Sequence, residues 1–178
     1  MPRLNTVDPA SAEGPVKEIF DGPLQGKHFN IFKGMANSPA ALNAYLGIAG
    51  ALGNAQLSAA EQETIQLAIG EANGCDYCLG AHTALGKMAG LSEAQTIGAR
   101  KGHVSEDPKL DALAKFALRI HEKKGWVGDD DFAAVRDAGY SDGQIAEVFA
   151  VYALAIFTNY FNHANQTVTD FPAAPALG

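Results

Sequence analysis

Two cysteines, Cys75 and Cys78, are the only thiols in the 178-residue chain, and they lie three residues apart. With no third cysteine to compete, any intramolecular disulfide must close between these two. The surrounding stretch, residues 63–82, reads ETIQLAIGEANGCDYCLGAH. Asn73 is a favourable helix N-cap, and Asp76 three residues later suits a capping box, so a helix is expected from about Gly74 through Cys78 and His82. On that helix Cys75, Cys78 and His82 fall at i, i+3 and i+7 and share a face, while Tyr77 points roughly the other way. Thiols in the first turn of a helix feel its dipole and free N–H groups, which lowers a cysteine pKa. Two such thiols with a histidine one turn on make a redox site.

A fourth group comes from upstream. Ser58 followed by Glu61 forms a second capping box, opening a helix to about Ala72 whose apolar stripe is Ile65, Ala68, Ile69 and Ala72. Glu63 lies across from that stripe, with Gly70 two turns along on the same side, small enough to admit another backbone. Folding back at Asn73-Gly74 would let this carboxylate face the thiols. The cysteine pair has other readings: half of a zinc site, with His82 and Glu63 as further ligands, or two inert buried thiols. Haem attachment is excluded, because Leu79 rather than histidine follows the second cysteine.

The pattern of Glu63, eleven residues, Cys75-Asp76-Tyr77-Cys78, three residues and His82 resembles the AhpD-like (alkylhydroperoxidase) branch of the carboxymuconolactone decarboxylase family. NGCDYCLGAHT and the C-terminal FTNYFNHANQTVTDFP resemble it too, and the likeness runs from about Asn30 to Pro172. The resemblance implies an all-α helical bundle that acts as a thiol-dependent peroxidase or disulfide oxidoreductase. It implies no cofactor and no metal. Its catalytic residues would be Cys78, Cys75, His82 and Glu63, with Tyr77 standing where some members have histidine. Glu63 and His82 would take the proton of Cys78 through a water, Cys78 would attack the peroxide, and Cys75 would close the disulfide. An external dithiol, lipoyl or thioredoxin-like, would reopen it. The family's decarboxylase activity is the alternative, although that branch does not rely on a C-x-x-C pair; a non-catalytic redox sensor is a third. A homo-oligomer, trimer or hexamer, is also implied.

Composition narrows the field. With 47% hydrophobic and 19% charged residues, the chain fits one domain over 1–178, with an N-terminal arm over 1–13 and a loose tail over 170–178. A net charge of −7 disfavours nucleic acid and anionic membranes as partners. MPRLNTVDPASAEGP lacks the basic and apolar regions of a signal peptide, so a cytoplasmic protein is expected. Residues 34–60 carry no charge, but Asn37, Pro39, Asn43, Asn54 and three glycines interrupt them, which favours a buried or interface helix over a membrane span.

The remaining boundaries predict eight to ten helices and no strands. Short helices are expected near 16–20 and 29–35. Longer ones should run from Ser38-Pro39 to Leu52, from Ser92 to Lys101, from Asp107-Pro108 to about Lys124, from Asp129 to Ala138, and from Ser141 to about Thr167. The last is uncharged from Val148 to Asn162 and should be buried on most faces. A faint echo links LSAAEQ…ANGCDYC with GYSDGQ…FTNYFN, each a capped helix leading to an asparagine and a tyrosine. Of the other histidines, His28, His103 and His121 read as surface or structural groups, and His163 as one to line the same cleft as the thiols.

Overall fold

A computed structural model describes residues 1–177. Among these residues there are nine helices and no strand: α1 (Gly14–Asp21), α2 (Asn30–Met35), α3 (Pro39–Leu52), α4 (Ala59–Ala72), α5 (Asp76–Met88), α6 (Glu93–Lys101), α7 (Pro108–Glu122), α8 (Asp129–Asp137) and α9 (Asp142–Asn165). The caps that announced them in the sequence are made. Ser38, Ser58, Ser92, Asp107 and Ser141 each accept a backbone N–H in the first turn of the helix they precede, and Ser58, Ser92 and Ser141 complete reciprocal boxes with Glu61, Gln95 and Gln144.

Helix α4 is the centre of the bundle, in contact with α5, α6, α7 and α9. Every residue from Thr64 to Gly70 is buried, so the helix is enclosed on all sides rather than along the one stripe its pattern suggested; Ala72, the expected end of that stripe, is exposed. One apolar cluster joins Ile65 and Ile69 of α4 to Leu113, Phe116, Val148 and Val151 of α7 and α9. A second joins Phe20, Phe32, Met35 and Leu42 of α1–α3 to Cys75, Tyr77 and Cys78. The thiols are thus walled by the first three helices.

The turn between α4 and α5 differs from expectation. Asn73 caps the end of α4, not the start of α5. Gly74 has φ +66°, and its N–H bonds the Glu71 carbonyl while the Cys75 N–H bonds that of Gly70. This paired pattern needs a left-handed residue, which glycine supplies without steric cost, so the dipeptide is consumed in ending the first helix. The N-cap of α5 is Cys75 itself, whose Sγ accepts the Cys78 N–H at 3.4 Å. The two asparagines of the faint sequence echo meet: Asn73 Nδ2 donates to Asn159 Oδ1 at 2.9 Å.

Helix α9 is long and apolar enough to cross a membrane by length and composition, but it packs against α2, α3, α4 and α5. Its burial is one-sided. Val148, Val151, Ala155, Asn159 and Asn162 face inward, whereas Phe149, Ala153 and Tyr160 are exposed. Helix α3 likewise exposes Ala44, Gly47 and Ala51 on its outer side.

Neither terminal segment has regular structure, yet both are tied down. Arg3 N–H and Leu4 N–H bond the carbonyl and side-chain oxygen of Asn165, and Val7 N–H bonds the Lys33 carbonyl. The tail expected to be loose is a strap: Asp170 Oδ2 accepts from Tyr77 Oη at 2.7 Å and Asn30 N–H at 2.8 Å, and Arg100 bonds the Pro175 carbonyl. A Cβ at Gly80 would stand 2.7 Å from the Pro172 carbonyl oxygen, so the strap depends on a bare backbone there. Gly80→Ala is therefore expected to lower stability by about 1–3 kcal/mol, the usual cost of overpacking, and to speed limited proteolysis after Thr169. Unchanged melting temperature and cleavage rate would show that the strap contributes nothing.

Candidate active site

Helices α4 and α5 run back on one another through the tight turn at Gly74, and the separation of Glu63 from His82 becomes a direct contact. His82 Nδ1 lies 2.7 Å from Glu63 Oε2, and both side chains are about one-sixth exposed. A carboxylate can only accept, so the ring's Nδ1 carries the hydrogen, which leaves Nε2 as the nitrogen free to exchange a proton. The other acidic candidates near Glu63 are engaged elsewhere: Glu61 in the helix cap with Ser58, and Glu71 with Arg100 at 2.7 Å.

Cys75 and Cys78 are joined in a disulfide, Cα to Cα 5.3 Å. Both are almost fully buried, 1% and 2% exposed. With both sulfurs in this bond neither is available as a metal ligand, and among the described residues no three His, Cys, Asp or Glu side chains converge as a metal set. Gly70 lets the pair approach α4: a Cβ there would meet Leu79 at 3.3 Å and the Cys78 Cβ at 3.8 Å.

A cavity of about 440 Å³ opens beside the disulfide, within the usual size range for small-molecule sites. Cys78 and His82 line it; Cys75 does not. Most of its wall is apolar, from Phe29, Phe32, Leu85, Met88, Leu154 and Phe171. Met88, Leu85 and Lys27 are exposed at the rim. Its polar wall is built by groups the sequence did not single out: Tyr45 from α3, Gln66 from α4 and Asn162 from α9. Gln66 was within reach of periodicity, since it follows Glu63 by one helical turn and so shares its face. No local signal marks Tyr45 or Asn162, which arrive from distant helices.

Tyr77 departs from expectation only in its direction, which was to be away from the thiols. It lines the same cavity, buried, with its ring edge-on to Phe171 at 5.6 Å. Its hydroxyl donates to Asp170 and accepts the Ile31 N–H at 3.4 Å. Burial, then the bond to Asp170, pushes its pKa far above that of a free phenol. Tyr45 is raised as well, by burial and then by the Glu63 charge. Both are neutral phenols at physiological pH, and the Tyr77 hydroxyl anchors the strap through Asp170. His163 does not reach the cavity. It is exposed, because the next position along α9 turns about 100° away from Asn162. Of the remaining histidines, His28 bonds the Phe20 carbonyl, His103 bonds Asp111, and His121 bonds Tyr152.

Two of the buried polar atoms on the cavity wall have no partner: Gln66 Oε1 and Asn162 Oδ1. A buried acceptor left unsatisfied costs about 1–3 kcal/mol. Asn162 also reaches the disulfide, its Nδ2 donating to Cys78 Sγ at 3.4 Å. The site thus combines a dithiol–disulfide pair, a carboxylate-oriented imidazole and an apolar chamber with unmet acceptors.

Comparisons with known proteins follow the same lines. The model of the carboxymuconolactone decarboxylase family matches residues 39–120, from the start of α3 into α7, and this segment contains Glu63, both cysteines and His82. Among solved structures, the chain is similar to an alkylhydroperoxidase AhpD core, an uncharacterized peroxidase-related protein from Ralstonia eutropha JMP134. The TM-score is 0.84 and the identity 22%, over 95% of this chain and 92% of that one. It is also similar to a peroxidase-related protein from Silicibacter sp. TM1040, with TM-score 0.80 and 23% identity over 93% and 89% of the two chains. A third is the debrominase Bmp8 in complex with 2,3,4-tribromopyrrole, with TM-score 0.77 and 17% identity over 94% and 91%. A search among curated proteins finds no match. Residues 39–120 thus match the carboxymuconolactone decarboxylase family model, and the fold of the chain is the AhpD-like helical one.

Proposed function

We propose that the protein is a thiol-dependent peroxidase that reduces organic hydroperoxides with the Cys75–Cys78 pair. The observation that carries this reading is the asymmetry of the pair: Cys78 lines the apolar cavity together with His82, whereas Cys75 does not. In the reduced protein the Cys78 thiol gives its proton to His82, through a water, with Glu63 balancing the charge of the imidazolium. The thiolate attacks the terminal oxygen of ROOH; the O–O bond breaks, and the alkoxide leaves with the proton from His82. Cys78 is then a sulfenic acid. The Cys75 thiol attacks its sulfur, the disulfide forms and water departs. An external dithiol, lipoyl or thioredoxin-like, restores both thiols by exchange.

The choice of Cys78 weighs two effects. The helix dipole favours Cys75, by about 0.3–1 kcal/mol at an exposed helix end. General-base assistance to Cys78 is typically worth about 100-fold or more, roughly 3 kcal/mol, and outweighs it. The family's name offers a second activity, lactone decarboxylation; the disulfide between the two cysteines speaks against it, since that chemistry does not call on them. The Bmp8 likeness adds a halogenated pyrrole to the compounds to be tried. The protein is further proposed to act in the cytoplasm, apart from nucleic acid and membranes, as a trimer or hexamer. The exposed small and aromatic side chains of α3 and α9, Ala44, Gly47, Ala51, Phe149 and Tyr160, support an assembly.

Three outcomes are expected. Cys75→Ser should consume one hydroperoxide per chain and stop at a trappable sulfenic acid on Cys78, while Cys78→Ser should be inert; mass spectrometry that finds the sulfenic acid on Cys75 instead reverses the roles. Glu63→Gln should keep the fold and slow both thiol alkylation at neutral pH and peroxide reduction, the latter by about 100-fold. An unaltered alkylation rate would remove Glu63 from the chemistry. Light scattering at micromolar concentration should give a multiple of 18.6 kDa, and a monomer mass would defeat the assembly.

A further inference from the structure

The cavity wall carries an amide whose two ends are unequally served. Asn162 is 4% exposed, its Nδ2 donates to the Cys78 sulfur at 3.4 Å, and its Oδ1 has no partner although it is buried. Sulfur offers lone pairs and takes a donor, so nitrogen toward Cys78 is the orientation that chemistry favours. One turn back on the same helix, Asn159 accepts from Asn73 through its Oδ1 and leaves its Nδ2 unpaired, but it neither lines the cavity nor bonds a sulfur. Asn162 instead keeps an unpartnered acceptor on a side chain that lines the chamber together with Cys78. Gln66 Oε1 is also unpaired on this wall, but Gln66 has no bond to either sulfur. A ligand lying next to Cys78 and carrying a donor would supply the missing partner.

We propose that Asn162 is a catalytic residue of this site, holding the Cys78 sulfur through its N–H while its side-chain oxygen accepts the O–H of the hydroperoxide. The inference rests on the reading of Cys78 as the attacking thiolate. In the reduced protein the N–H bond stabilises that thiolate, because a donor to a charged acceptor makes a stronger bond than one to a neutral disulfide. The terminal oxygen of ROOH keeps its hydrogen throughout: the electron pair of the thiolate forms the S–O bond, the O–O bond breaks, and the same O–H becomes that of the sulfenic acid. One acceptor thus serves both substrate and product. A dialkyl peroxide has no such hydrogen and would leave Oδ1 buried and unpaired, so the site selects hydroperoxides over dialkyl peroxides.

Two variants separate the two ends of the amide. Asn162→Asp is isosteric, keeps an acceptor and loses the donor; Asn162→Leu loses both. The reduced proteins are alkylated with iodoacetamide across a pH series, and cumene hydroperoxide reduction is followed under the same conditions. In Asn162→Leu the alkylation midpoint should rise by about one pH unit, the value of one hydrogen bond to a charged group. It should rise further in Asn162→Asp, where a carboxylate faces the thiolate. Above these midpoints alkylation should reach the wild-type plateau in both. There Asn162→Leu should remain about 10- to 100-fold slower with the hydroperoxide, while Asn162→Asp returns to within about threefold of wild type. Midpoints that do not move overturn the donor role, and a hydroperoxide rate in Asn162→Leu that recovers with alkylation overturns the acceptor role. If Asn162→Leu does not fold, the isosteric variant still decides the donor role, and the wild-type preference for cumene hydroperoxide over dicumyl peroxide decides the other. A wild-type protein that alkylates normally but reduces no hydroperoxide overturns the peroxidase reading and the acceptor role with it, leaving the midpoints to decide the hold on sulfur.

Discussion

The hydrogen bond between Glu63 and His82 is the contact on which the site depends, and it exists because α4 turns back into α5 with almost no intervening chain. Gly74 ends one helix in a left-handed conformation, and Cys75 begins the next by capping it with its own sulfur. The turn thus does two things at once. It brings a carboxylate of one helix against an imidazole of the other, and it places the first cysteine where its sulfur is held by a backbone N–H. Gly70 then lets the second cysteine press against α4. With a longer loop the same residues would still lie on two amphipathic helices, but their relative rotation would be free.

Burial makes this arrangement chemical rather than merely geometric. Both sulfurs sit in the apolar cluster formed with α1–α3, and the imidazole–carboxylate pair is only about one-sixth exposed. Partly shielded from water, an oriented carboxylate holds its partner ring more firmly than it would on the surface. The cavity is lined by one cysteine and not the other, an asymmetry that C-x-x-C spacing alone does not contain.

Helix α9 and the C-terminal strap supply the rest. Asn159, Asn162 and Asn165 recur at one side of α9 and reach, in order, the α4–α5 turn through Asn73, the Cys78 sulfur, and the N-terminal arm at Leu4. Asparagine suits this row because each side chain offers both a donor and an acceptor without a charge to desolvate. The strap closes the chamber with Phe171 and is pinned by the Tyr77–Asp170 bond. These elements lie beyond the end of the family match at residue 120, so the matched segment holds the redox groups and part of the cavity wall, and segments outside it complete that wall.

Local chemistry determined most of the helices: serine and aspartate caps, Pro39 and Pro108 at helix starts, and terminating glycines act within a few residues, and their helices begin where those signals stand. The motif from Glu63 to His82 was legible for the same reason, its spacing being a property of two helices joined by a turn. Asn73 was misread because an Asn-Gly pair can start a helix or end one, and only the bonds back to Gly70 and Glu71 distinguish these uses. Tyr77, Tyr45, Asn162 and the strap were decided by tertiary structure. Helical periodicity specifies which residues share a face, but it does not specify what that face meets. The partners of these side chains lie on helices and loops far away in sequence, brought near only when α4 is enclosed from all sides.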